Sequence, residues 1–169
     1  MTPNEEREHL LHGVRANQSP GGVGLIELIA ATTDTSALLA RARAVLTVVL
    51  DSDRSDWLDD AHWQRMLPAW FKTACAPDLS EKQATEELAR WRALPAEDRQ
   101  SWQQDKQWST TNWLYWMHPD NRTWFWWDAR AENDRVVRLQ VQIDGWPTPT
   151  GSLRWLLRAA GATNVEQAV

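Results

Sequence analysis

The chain has 169 residues, with 18 Lys and Arg against 23 Asp and Glu, and 13 Trp against one Tyr and two Phe. That length fits one globular domain over residues 1–169, and 43% hydrophobic with 24% charged residues is folded rather than disordered composition. A formal charge of −5 speaks against nucleic acid as a partner, because phosphate affinity needs clustered positive charge, and the single Cys75 excludes an internal disulfide.

The first residues carry Glu5, Glu6, Arg7 and Glu8 and lack the apolar centre of a signal peptide. The longest apolar tract, Ala42 to Leu50, is broken by Arg43 and Thr47 and is far short of a membrane span. The expectation is a cytoplasmic protein without a membrane partner. Lys72, Lys82 and Lys106 are the only lysines among the cations, an Arg bias that reads as GC-rich, bacterial coding.

Thr2-Pro3-Asn4-Glu5 has the spacing of a capping box with Pro at the first helical position. A helix should follow, with Leu10, Leu11 and Val14 on its packed side. Residues 17–24 form a loop on composition. Leu25 to Ala31 is read as a short helix in preference to a buried strand. From Thr35 to Leu50, Leu38, Leu39, Ala42, Val45, Leu46 and Val49 recur at helical spacing, which predicts a core helix. Ser55 should cap the next helix, with Asp56, Asp59 and Asp60 in its first turn. Trp63, Leu67, Trp70 and Ala74 form its stripe, and Pro68 should break it in two. Ser80 with Gln83 opens a helix expected to turn Ala84, Leu88 and Trp91 inward. Pro95 ends that helix and opens another, with Glu97 and Asp98 in its first turn.

Beyond Ser109 the period changes. Trp113 to Met117 is read as a strand over the alternative of a helix end. Residues 123–132 and 135–144 read as two strands joined by a tight turn near Asn133-Asp134. The second alternates Val137, Leu139, Val141 and Ile143 with Arg138, Gln140, Gln142 and Asp144, the pattern of an antiparallel sheet with one packed face. A closing helix from Gly151 to Ala160 should pack Leu153, Leu156 and Leu157, with Gly161 as its C-terminal cap. The fold class is α+β: a helical N-terminal two-thirds (1–110), then a small antiparallel sheet, hairpin or meander, and a C-terminal helix (111–169).

The register of the hairpin decides which aromatic side chains are free. A two-residue loop sets Trp126 opposite Val141 and drags Asp128 and Arg130 onto the apolar face. Burying two unpaired charges costs several kcal/mol each, so an odd register is expected. It leaves Trp124, Trp126, Asp128 and Arg130 beside Arg138, Gln140 and Gln142, a mixed face suited to a flat, polar or cationic ligand.

Other constellations carry less. His118, with Asp128 or Asp120 to orient it, is the one candidate acid–base pair, Asp128 being the partner in the catalytic reading. Glu6 and His9 share a helical face, as do His9 and His12, yet a solvated helix at a polar terminus is the simpler reading, and no metal or cofactor motif is complete. Cys75 beside an aromatic stripe reads as a buried, inert thiol. Residues 21–24 lack the spacing of a phosphate loop. Arg154 and Arg158 read as a solvated face or as cover over Trp surface. The function expected is a non-catalytic binding or protein-interaction module with a Trp-rich surface; the alternatives are a small-molecule-binding protein with a Trp-lined pocket on the sheet, and, ranked last, an enzyme.

Overall fold

The computed structural model of the chain describes residues 1–52, 57–98 and 106–168. In chain order the elements are α1 (Pro3–His12), β1 (Gly24–Thr32), α2 (Thr35–Leu50), α3 (Asp60–Met66), α4 (Ala69–Ala74), α5 (Glu81–Ala93), α6 (Thr110–Met117), β2 (Trp124–Asn133), β3 (Val136–Ile143), α7 (Gly151–Ala160) and β4 (Ala162–Gln167). The architecture is α+β, with one four-stranded antiparallel sheet in the order β2-β3-β1-β4.

The helix starts follow from their caps. In α1 the Glu5 N–H donates to Thr2 Oγ1 at 3.2 Å and the Thr2 N–H donates to Glu5 Oε2 at 2.7 Å, closing the capping box. Asp34 caps α2 by accepting from the Ala37 N–H at 2.9 Å. Pro68 separates α3 from α4, as its missing N–H requires. The Ser55 cap and the first-turn Asp56 lie outside the described residues.

Three sequence readings are corrected. Leu25 to Ala31 belongs to β1, not to a helix. Its apolar residues fall on both faces, with Leu28 and Ala30 buried on one and Leu25, Ile29 and Ala31 half-buried on the other. Trp113 to Met117 belongs to helix α6: Ser109 Oγ accepts from the Asn112 N–H at 3.2 Å, and Trp113, Leu114 and Met117 are buried on one side while Tyr115 is exposed. Helix α5 forms as its capping box predicts, but Ala84 and Leu88 face solvent and Trp91 is half-buried. The final strand β4 has no counterpart in the sequence reading.

On one sheet face the middle strands are apolar. Ile26, Leu28 and Ala30 of β1 stand opposite Val141, Leu139 and Val137 of β3. Leu38, Ala42, Val45 and Leu46 of α2 join this core with Leu153, Leu156 and Leu157 of α7, and α3, α4 and α6 add Trp63, Phe71, Trp113 and Met117. Burying such side chains supplies roughly 1.5–3 kcal/mol each, the main favourable term in the fold. Among the described residues, no helix is long and apolar enough to cross a membrane.

Candidate functional site

The β2–β3 hairpin contains both registers that the sequence offers. Its turn is Asp134-Arg135, flanked by the Asn133–Val136 pair, one residue later than expected. A bulge at Glu132 then sets Arg130 opposite Arg138 and Asp128 opposite Gln140, the odd register favoured by the charge argument. A second bulge at Trp127 reverses it. Trp126 therefore faces Val141, and Trp124 faces Ile143.

This corrects the expected binding face. Trp124 and Trp126 are 1% and 0% exposed and belong to the main core. The Trp124 indole N–H donates to Ser152 Oγ at 3.1 Å, and the Trp113 indole N–H donates to the Ser152 carbonyl at 2.9 Å. Asp128, Arg130, Arg138 and Gln140 stay together on the other face without either indole. There Arg138 donates to Glu27 at 2.6 Å and to Glu132 at 2.8 Å, and the bonds to Glu132 first, then Glu27, push its guanidinium above the usual value. His118 packs on Trp57 at 5.0 Å between ring centroids and lies 3.7 Å from Asp120. Among the described residues no hydrogen bond or ion pair joins it to Asp128. Of the described indoles only Trp146 is largely exposed, at 69%.

A different site emerges where α1 meets β2. The edge of β2 is covered by α1, which answers the usual liability of an unpaired strand edge. Glu6 is the anchor. Its Oε1 accepts the backbone N–H of Trp126 at 2.7 Å and forms an ion pair with Arg122, whose Nε donates to the Trp124 carbonyl at 2.9 Å. Both partners are buried, and the Arg122 guanidinium lies 4.5 Å from the Trp124 ring centroid. The expectation that Glu6 and His9 lie on a solvated helix is thus corrected. They share a helical face, and that face turns inward.

One turn beyond Glu6, His9 stands edge-on to Trp127, with ring centroids 4.7 Å apart and planes at 87°. These two rings line an open cleft of about 200 Å³, bordered also by Met1, Glu5, Gln18, Ser19, Gly21 and Gln142. On a share of about 30 Å³ per molecule, that space corresponds to several waters. Gln142 projects from β3, and its Oε1 accepts the Gly21 N–H at 2.9 Å. The bond fixes the orientation of the amide and leaves its NH₂ group with no protein acceptor. The His9 ring nitrogens are both buried and have no hydrogen-bond partner.

The loop over the cleft is held by its glycines. Gly22 has φ +62°, and a Cβ there would collide with the Ile143 carbonyl oxygen. The next residue, Val23, donates its N–H to that same carbonyl at 2.9 Å.

Of the residues that the sequence assigned to a binding face, only Gln142 lines this cleft. His9 and Trp127 were missed as its lining, and Glu6 with Arg122 as the buried pair that anchors α1, although the shared face of Glu6 and His9 was visible in their spacing. Cys75 is half-buried, and burial pushes its thiol up. Arg154 donates to the Val165 carbonyl at 2.8 Å and Arg158 lies over the Trp155 ring, so both serve packing. No protein-family model, curated protein or solved structure matches the chain.

Proposed function

We propose that this protein binds a small polar molecule in the cleft between α1, the 13–23 loop and the β2–β3 hairpin, acting as a binding protein in the bacterial cytoplasm. One observation carries the reading. His9 and Gln142 are 3% and 2% exposed and line the same cleft, and both ring nitrogens of His9 are buried without a hydrogen-bond partner. A buried group left unsatisfied costs about 1–3 kcal/mol, a penalty that a ligand with complementary polar atoms relieves. Trp127 supplies the apolar wall that small-molecule sites combine with a few placed polar groups.

The small-molecule reading is preferred to a Trp-anchored interaction module because only one described indole, Trp146, is largely exposed. The experiment is an NMR titration of the indole N–H signals with a panel of small amides, carboxylates, amines and sugars. At least one compound should move the Trp127 signal saturably, and Trp127→Phe should abolish its binding while Trp146→Phe leaves it intact. If every compound leaves Trp127 in place, or if Trp146→Phe removes the response, the cleft is not the binding site.

A further inference from the structure

We propose that the outer face of the sheet is a self-association surface, on which a second copy of this chain packs face to face about a two-fold axis parallel to the strands. The proposal is independent of the cleft and uses none of its lining residues.

The core helices α2 and α7 meet the sheet face that carries Leu28, Leu139 and Val141. On the other face Ile29, Ala31 and Val136 are half-buried and stand outside that core. Packing a second sheet over such residues is the ordinary way to remove them from water.

Strand pairing fixes how charge is laid out around them. One row crosses all four strands as Arg130, Arg138, Ile29 and Glu166. Arg138 is already neutralised by Glu27 and Glu132. The row therefore ends on an exposed cation at β2 and an exposed carboxylate at β4. Among the described residues neither Arg130 nor Glu166 forms an ion pair. Neighbouring rows set Gln140 beside Glu27 and Val136 beside Ala31.

This layout complements a copy of itself. A two-fold axis parallel to the strands, between β3 and β1, lays β2 of one copy over β4 of the other. Arg130 then meets the partner's Glu166 at both symmetry-related ends, Gln140 meets the partner's Glu27, and Val136 meets the partner's Ala31. An axis running across the strands would instead set Arg130 on Arg130 and Glu166 on Glu166, so charge selects the first arrangement. With strands about 4.8 Å apart, the face is only roughly 20 Å wide. That is the small end of specific interfaces, so the dimer should dissociate on dilution.

Sedimentation velocity of the full chain, from micromolar to near-millimolar loading, tests the proposal. The native protein should pass from monomer to dimer. Ile29→Lys places a charge at the centre of the interface and should weaken association more than about tenfold. Arg130→Glu alone, or Glu166→Arg alone, brings like charges together at both ends and should weaken it about tenfold. The double variant exchanges the signs, restores both pairs, and should recover native association. Urea midpoints check that each variant folds, and the charge reversal at the exposed Arg130 serves if Ile29→Lys does not. A native chain that stays monomeric at every loading overturns the proposal. So does a dimer indifferent to Ile29→Lys, or a double variant no tighter than the single ones.

Discussion

Trp126 and Trp127 are adjacent, both buried, and belong to different parts of the molecule. Trp126 faces Val141 on the apolar side of the sheet and is closed in by the main core. Trp127 occupies the bulge, lies outside that core, and lines the cleft with His9 and Gln142. One face is therefore apolar and filled, while the other sets an indole beside the polar side chains of His9 and Gln142. An unusual number of tryptophans is not itself a functional sign. What distinguishes Trp127 is the company it keeps.

Substitutions on the two sides should separate these roles. The largest effect is expected at the anchor between them. Glu6→Ala leaves Arg122 buried without its carboxylate and should cost about 3–5 kcal/mol in urea unfolding, unlike a solvated helix position. Trp126→Ala should cost a similar roughly 3–5 kcal/mol, because the core cannot refill the space. Trp127→Phe should cost only about 1 kcal/mol, since its ring borders existing space, yet it should abolish ligand response. Equal stability losses at the two indoles, with binding retained in Trp127→Phe, would erase the distinction. Gly22→Ala forces a side chain into a left-handed position against the Ile143 carbonyl and should destabilise by roughly 1–3 kcal/mol. Faster hydrogen exchange at the Val23 amide would place that damage in the loop over the cleft.

The smallest effect is electrostatic. Glu5 has a folded-state pKa below its unfolded value, so its capping contribution is present above the unfolded carboxylate value. It is lost as pH falls through the folded value. Urea midpoints of the native protein and Glu5→Gln should therefore differ at neutral pH and converge in acid.

The fold was legible where one local signal dominated. Helix α2 shows helical spacing over sixteen residues, and its observed limits coincide with the pattern. The capping boxes at Thr2 and Ser80 marked two helix starts for the same reason: each is complete within four residues. Strand β1 was not legible, because its apolar residues fall on both faces and so short a run cannot be told from a buried helix by period. Strand β4 is a mostly polar edge strand, with Ala162 its one buried residue, and it lacks the alternation that marks a half-buried strand.

For the site, the charge argument held for Asp128 and Arg130 but failed when extended along the strand. Regular alternation cannot express a bulge at Trp127, so Trp124 and Trp126 were assigned to the wrong face. Glu6 and His9 were recognised as sharing one face, but the burial of that face is a tertiary fact set by Arg122 and the edge of β2, more than a hundred residues away in sequence.

The most direct measurement compares indole N–H shifts during the small-molecule titration, with Trp113 as the internal reference because its N–H is held by the Ser152 carbonyl in the core. The expected result is a compound that moves Trp127 saturably and leaves Trp113 unchanged, with the movement lost in Gln142→Met. A panel that moves neither signal, or moves both together, contradicts a binding site on the polar face.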